Sequence, residues 1–375
     1  MAFPVSGAAG ISAGAVPGAR ERAAALVPDE RLLVGPLKGY HHETYAFPLP
    51  ATGGSGVQSW WKCRDPRAGL FWFDLRWFSS EKELVRALAG RITRIPAVVD
   101  RESVSLYTFI EGRTLGELSP PGRPLSWHHE HQIGVLFREL ASVGIDEIEE
   151  GCGPGRPDGR RDDSAAFLAR LIDFTERHVY RRHLPGYGAL FSGLGIRGDS
   201  LERLRKQARQ LTPRPYVLVH GDLHRENFIV DRRGDLWTID WELAMIGDPL
   251  YDLATHLHLM RYPSDERERI TGIWLSEVER ARPGSSEGWE HDLPVLLGYK
   301  RAQSVYTDVI RTALSLSEGP GSDRQLSPAS RRIQETVAAA QAPLGLGRVP
   351  TVREVVAAYR RWLCCRPPGA TASAP

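Results

Sequence analysis

Asparagine is almost missing from this chain: Asn227 is the only one in 375 residues. Lysine is nearly as scarce, occurring at positions 38, 62, 82, 206 and 300, so nearly all of the 48 basic residues are arginine. Together with abundant Ala, Gly and Pro, this bias matches the codon usage of a GC-rich genome better than a binding surface. The formal net charge of +2 is too small to make nucleic acid the expected partner. The four cysteines (63, 152, 364 and 365) lack zinc spacing, and the adjacent Cys364 and Cys365 are poor disulfide partners for each other. No stretch approaches the roughly 18 uncharged apolar residues that a membrane span needs. The N-terminus shows no basic patch followed by a long apolar run, so no signal peptide is expected. These absences point to a cytoplasmic protein without nucleic-acid or membrane partners, as a monomer or homodimer.

What remains is an ordinary globular composition, 42% hydrophobic and 25% charged, on a chain long enough to bury a large core. Residues 1–30 read as an N-terminal extension, disordered over its Gly/Ala/Ser/Pro-rich first 16. Residues 31–111 read as a small antiparallel β lobe. Its strands are expected at 31–34, 40–47, 58–63, 96–99 and 104–109, broken by Gly35, Gly39 and the Gly53–Gly56 turn. Ser80 followed by Glu83 is a capping-box pattern and opens one helix through about Ala89. Beyond Gly112 the pattern turns to long helices, at 126–143, 163–183, 199–211 and from about 250 to 363. Short strands interrupt them at 216–219, 228–230 and 236–239. Residues 112–365 therefore form a helical lobe, and 366–375 a tail.

The lone asparagine lies in His220-Gly221-Asp222-Leu223-His224-Arg225-Glu226-Asn227, and Ile239-Asp240 follows thirteen residues later. The segment Asp231–Asp235 between the strands at 228–230 and 236–239 carries turn residues. Closing that hairpin sets Asn227, just before the first strand, beside Asp240, just after the second. Asp222 lies one short loop earlier. Two carboxylates and an uncharged amide oxygen thus converge at one end of a small sheet. Such hard oxygen donors suit a magnesium ion and the phosphates it would gather, which points to phosphoryl transfer.

HGDLHREN followed by IDWELAMIGDPLYDLA resembles the Brenner motif and metal-binding segment of the aminoglycoside phosphotransferase/choline kinase family, relatives of protein kinases. The resemblance covers about residues 31–311 and is strongest over 216–256. It implies a protein-kinase-like α+β fold, with a small β lobe and a mainly helical lobe, and ATP-dependent transfer to a hydroxyl of a small molecule. ATP is the expected donor, with GTP the alternative, and Mg²⁺ the metal. Asp222 would accept or orient the hydroxyl proton, Asn227 and Asp240 would bind Mg²⁺, and His220 would brace the loop. In such chemistry positioning and electrostatics do most of the work, so these carboxylates need only stay ionised.

The same resemblance asks the β lobe for a lysine on the α- and β-phosphates and a helix glutamate to hold it. Lys62, ending the 58–63 strand, is the natural lysine. Glu81, sharing helical spacing with Val85 and Leu88, is its partner rather than Glu83, which the cap occupies. Gly35 and Gly39 flank a segment that either folds over phosphates or makes an ordinary turn. Phe109 and Ile110 lie in the expected interlobe linker at 107–111, and Ile229 and Ile239 are either an apolar floor beneath adenine or plain core. Asp252 is placed to cap or brace the following helix. Trp241-Glu242 departs from the usual Phe-Gly after the metal aspartate, and Glu242 is either a substrate contact or a surface acid.

The acceptor is the open question. Polycationic aminoglycosides need a strongly acidic cleft, yet no acid follows Glu354, and interleaved arginines cancel much of the acid-rich 265–290 stretch. A hydroxylated metabolite or an antibiotic that is not strongly cationic, of nucleoside or peptide type, is the expectation. A choline- or homoserine-type metabolite kinase is the alternative. Outside this class, His220, Asp222 and His224 at alternate positions resemble the HxDxH cluster of a metal-dependent hydrolase. A catalytically weak ATP-binding module would require loss of the base, a metal ligand or the lysine.

Overall fold

The computed structural model describes residues 18–37, 39, 42–50, 58–67, 72–102, 104–148, 160–318 and 322–365. The expected disorder of the first 16 residues, Lys38, the Gly53–Gly56 turn, Cys152 and the tail lie outside them. The chain divides into two compact units, one of residues 1–68 and 98–109, the other of 69–97 and 110–375.

The first unit is a four-stranded antiparallel sheet in the order β1-β2-β4-β3, from β1 (His42–Pro50), β2 (Gln58–Pro66), β3 (Val98–Arg101) and β4 (Val104–Thr108). Alternation on β1 puts Tyr45, Phe47 and Leu49 into one core with Cys63 and Leu106, and α1 (Ala19–Leu26) joins it through Ala19 and Ala23 one helical turn apart. Lys62 is half-buried on β2, in register with Ala46 on one side and Tyr107 on the other. The strand expected at 31–34 is not there. Asp29 instead accepts the N–H of Arg31 and caps a 3₁₀ turn over Glu30–Leu32, leaving only Val34 to bridge Ala46. A short polar side chain next to the backbone it caps outweighed the β tendency of a three-residue apolar run. Phe109 ends this unit, its N–H donated to the Trp60 carbonyl.

The second unit begins with α2 (Glu81–Leu88), capped as expected by Ser80, whose hydroxyl accepts from the N–H of Glu83. The Glu83 side chain does not complete the box; it pairs with Lys82 and Arg86. Two small sheets follow. β5 (Gly112–Thr114), β7 (Phe228–Asp231) and β8 (Leu236–Thr238) form one, and β6 (Val217–Val219) pairs antiparallel with β9 (Met245–Gly247) in the other. Neither β5 nor β9 is anticipated from the sequence, although β6 and β8, which are equally short, are. The helices are α3 (Leu115–Leu118), α4 (Trp127–Ser142), α5 (Ile145–Ile148), α6 (Ser164–Phe174), α7 (Arg182–Gly193), α8 (Glu202–Ala208), α9 (Pro249–Met260), α10 (Ser264–Ala281), α11 (Trp289–Glu318), α12 (Ser322–Ala339) and α13 (Val352–Cys364). The single helix expected at 163–183 is longer and interrupted: a π-helical stretch, Thr175–Arg181, carries α6 into α7. No helix among the described residues is long and apolar enough to cross a membrane.

One buried ion network ties this unit together. Arg214, fully buried, donates Nε and Nη2 to the two oxygens of Asp248 at 2.9 and 2.7 Å, and Nη1 to Asp292 at 2.7 Å. Asp248 also accepts the Leu250 N–H at the start of α9, and Asp292 accepts the Thr212 N–H. Every partner is desolvated, so removing one strands the others. Arg214→Ala should lower the unfolding free energy by about 3–5 kcal/mol in urea titrations, far more than the loss of an exposed arginine.

Candidate active site

β6 delivers the chain into the 220–227 loop, and its shape follows from three residues. Gly221 has φ 77°, and a Cβ there would lie 2.6 Å from the Leu243 carbonyl oxygen, so glycine is required. His220 is completely buried, packed against Trp241 with ring centroids 4.6 Å apart and the planes tilted by 56°. Its Nδ1 accepts the Asp222 N–H at 3.3 Å and its Nε2 faces the Ile239 carbonyl at 3.2 Å, which requires the neutral Nε2–H tautomer. Burial pushes the imidazole down to about 4, against the pull of Asp222 and Asp240. Asp252, on α9, then receives the N–H groups of both His220 and Gly221 at 2.7 Å each. Burial raises its carboxyl to about 7, while those two N–H groups work the other way. Asp252 therefore braces the loop, and the helix cap expected of it belongs to Asp248.

Asn227 holds the other end. Its amide nitrogen donates to the Asp222 carbonyl oxygen at 2.9 Å and to the Asp222 carboxylate at 3.0 Å, and its own carbonyl accepts the Ile239 N–H at 3.0 Å. With the amide N–H₂ so engaged, the side-chain oxygen of Asn227 is turned away from Asp222. The hairpin β7–β8 thus brings Asn227, Asp222 and the Ile239-Asp240 step together as its spacing predicts. Asp240 takes a left-handed backbone, φ 66°, which a non-glycine residue adopts only where its surroundings enforce it. Part of that enforcement comes from Glu81, whose Oε1 accepts the Trp241 N–H at 2.9 Å. Glu81 so ties α2 to the residue after Asp240, a job its pattern in sequence does not reveal.

His224 lies against Asp222, Nε2 to Oδ2 3.3 Å. Burial opposes charge on His224, but the Asp222 hydrogen bond and carboxylate outweigh it and raise its pKa above the ordinary 6.5. Burial would likewise raise Asp222, yet His224, His220 and Lys300 hold it below the usual carboxylate value. Asp222 is therefore ionised at neutral pH. The donor set fits Mg²⁺: Asn227 and Asp240 offer hard oxygens. Among the described residues no three His, Cys, Asp or Glu side chains are grouped to hold a metal. His220 has both nitrogens engaged, so the HxDxH reading has lost one of its imidazoles.

A family model of phosphotransferase enzymes, APH, matches residues 74–283, a span that holds this loop and its braces. The chain belongs to the phosphotransferase enzyme family. Among solved structures it is similar to the macrolide 2'-phosphotransferase MphH of Brachybacterium faecium, at 18% identity and a TM-score of 0.50, covering 88% of this chain and 97% of that one. A choline/ethanolamine kinase family protein of Mesorhizobium loti shows 16% identity and a TM-score of 0.47 over 92% and 98%. The choline kinase LicA of Streptococcus pneumoniae shows 16% and 0.49 over 86% and 97%. No curated protein matches the sequence. The fold is the α+β protein-kinase-like fold, and the phosphotransferase is a small-molecule kinase.

Other residues singled out in sequence fall as follows in this phosphotransferase. Ile229 sits half-exposed on β7 between Thr114 and Trp237, and Ile239 leads into Asp240. Ile110 lies two residues before β5, and Gly35 precedes Leu37, whose N–H reaches the Thr44 carbonyl; Gly39 is exposed. Glu242 is not a surface acid: it is buried and pairs with Arg76 at 2.7 Å. Sequence reasoning missed Arg225, which is buried and donates to the Ser119, Arg123 and Met260 carbonyls, pinning the middle of the loop. It also missed a small cavity of about 10 Å³, room for about one water, lined by residues that include Gly221, Asp74, Tyr251 and Gln303. Lys300, one of the five lysines, is buried against Tyr251 and Gln303 of that lining.

The His224–Asp222 pair makes stability depend on pH. Because the folded pKa of His224 is raised, its contribution is complete below about pH 6.5 and disappears as pH climbs through the folded value. The drop in Tm on His224→Gln, measured without metal, should be largest near pH 6 and shrink toward about pH 9.

Proposed function

We propose that this enzyme transfers the γ-phosphoryl group of ATP to a hydroxyl of a small molecule, an antibiotic or a metabolite, with Mg²⁺ as metal and in the cytoplasm. The observation that carries the reading is the double hold of the Asn227 amide on Asp222. It aims one carboxylate at the acceptor and turns the amide oxygen away from it, and that oxygen with the Asp240 carboxylate makes the hard-donor set a metal would use.

In this reading Asp222 takes the acceptor O–H proton as the new O–P bond forms and the bond from the γ-phosphorus to the bridging oxygen of ADP breaks. Asn227 and Asp240 would hold the metal, which would supply neutralising charge to the phosphates of the donor. His220, kept neutral, fixes the Asp222 N–H and stiffens the loop without adding a charge that would compete for the phosphate. Lys62 supplies the cation for the α- and β-phosphates, and Glu81 holds the Trp241 N–H. Gly35 and Gly39 belong to a phosphate-covering segment, and Phe109, Ile110, Ile229 and Ile239 to the adenine surround.

A coupled ADP-release assay over antibiotics and hydroxylated metabolites tests this directly. Asp222→Ala should reduce kcat by about 10²–10⁴-fold while ATP binding, followed by calorimetry, changes little; normal turnover in that variant would remove Asp222 from the role. Asn227→Ala should shift the Mg²⁺ dependence of turnover to higher concentration for every acceptor, and an unshifted curve counts against the metal assignment.

A further inference from the structure

One buried histidine that the proposed chemistry does not use closes on the peptide next to Asp222. His256 lies on α9, one helical turn after Asp252 and so on the same face of that helix. It is completely buried, packed edge-to-face against Phe137 with ring centroids 5.5 Å apart. Its Nδ1 meets the Leu223 carbonyl oxygen at 3.0 Å, and its Nε2 meets the Tyr262 hydroxyl at 2.8 Å. A carbonyl can only accept, so Nδ1 carries the proton. In a neutral imidazole Nε2 is then the acceptor, and the Tyr262 hydroxyl donates to it. Burial pushes this imidazole down to about 3, which keeps the ring neutral. Arg261, in a left-handed backbone at φ 52°, ends α9 and turns Tyr262 back toward the ring. The Arg225 guanidinium, itself pinned to three carbonyls, faces the Tyr262 ring at 5.6 Å.

What distinguishes this contact is where it falls. Asp252 accepts the N–H groups of His220 and Gly221 on one side of Asp222, and His256 donates to the Leu223 carbonyl on the other. One face of α9, with an acceptor and a donor a turn apart, therefore grips the chain just before and just after the candidate base. The Asp222 carbonyl between them is taken by the Asn227 amide. Leu223 is fully buried, so losing the imidazole leaves its carbonyl short of a donor away from solvent. Any ring of similar size could fill the core here, but only a donor at the Nδ1 position can hold that carbonyl.

We propose that His256 is a positioning residue for Asp222: its Nδ1–H, fixed by the Tyr262 hydroxyl, holds the Leu223 carbonyl and so sets the direction in which the Asp222 carboxylate leaves the loop. The inference rests on the phosphotransfer reading for its effect on turnover, but not for its effect on the geometry of Asp222. Without the donor the peptide after Asp222 is free to rotate, and a displacement of about 1 Å at a reacting group costs about a hundredfold in rate. The same rotation loosens Asp222 from His224, whose pKa, opposed by burial, is raised by that contact.

Three variants separate the donor from the packing. His256→Phe keeps a ring without a donor, and His256→Asn gives up the ring but keeps an amide N–H₂ near the place of Nδ1. Tyr262→Phe removes the proton that fixes the tautomer. Thermal unfolding reports the stability of each. The pKa of His224 is read by NMR without metal, and kcat and the KM for ATP are read by ADP release with an active acceptor. His256→Phe should bring the His224 pKa back toward 6.5 and lower kcat by about 10–100-fold with the KM for ATP unchanged. Tyr262→Phe should move both readouts in the same direction by less. His256→Asn should keep both close to wild type even where its smaller side chain lowers Tm. A folded Phe variant with wild-type His224 pKa and kcat overturns the proposal, as does an Asn variant that loses both as the Phe variant does. Should the Phe variant not fold, Tyr262→Phe decides, and unmoved readouts there overturn the proposal. If Asp222→Ala turns over normally, the reading of Asp222 as base falls, while a shifted His224 pKa in His256→Phe still supports the grip of His256 on Asp222.

Discussion

Two backbone N–H groups, those of His220 and Gly221, end on the single carboxylate of Asp252, and the geometry of the candidate site depends on that convergence. A loop of three residues cannot satisfy adjacent donors by itself once it is buried. With Asp252 holding them from α9, Gly221 can take its left-handed turn and His220 can point inward. The candidate base, Asp222, then leaves the turn at an angle its own side chain did not have to find. The arrangement places a helix start and a loop in one hydrogen-bonded unit, so the sequence from Asp248 to Asp252 is as much a part of the site as HGD itself.

Asn227 and Glu81 extend the same logic. Asn227 grips Asp222 through its amide nitrogen and carries the Ile239 N–H on its backbone carbonyl, so one residue registers both sides of the hairpin. Glu81 accepts the Trp241 N–H from α2 and steadies the strained Asp240 backbone from the other side. Neutral, fully engaged His220 sits between them. Fixed groups of this kind need no reorganisation when charge moves, which is the main way proteins assist phosphoryl transfer.

Much of this was legible before any coordinates. The hairpin flanking residues 231–235 and the capped helix after Ser80 are written in turn chemistry and spacing, and so is the convergence of Asn227, Asp222 and Asp240, whereas the grip of the Asn227 amide on Asp222 is not. The strand expected at 31–34 failed because three apolar residues next to a capping aspartate do not make a period. β5 and β9 were not anticipated, though β6 and β8, of the same length, were. Asp252 was read as serving its own helix because its true partners lie some thirty residues upstream, and Glu242 was left between two roles because Arg76 is 166 positions away.

Local order and chemistry therefore belong to the sequence: which residues turn, which alternate, and which side chains near residues 220–240 carry hard oxygens. These depend on neighbours a few positions apart, whose interactions survive in any context. Partnerships were decided only by the tertiary structure. Arg214 could have been a surface arginine, Lys300 a solvated lysine and Asp252 a helix cap. Each acquired its part because folding removed water and left a distant group as the nearest one able to answer its charge.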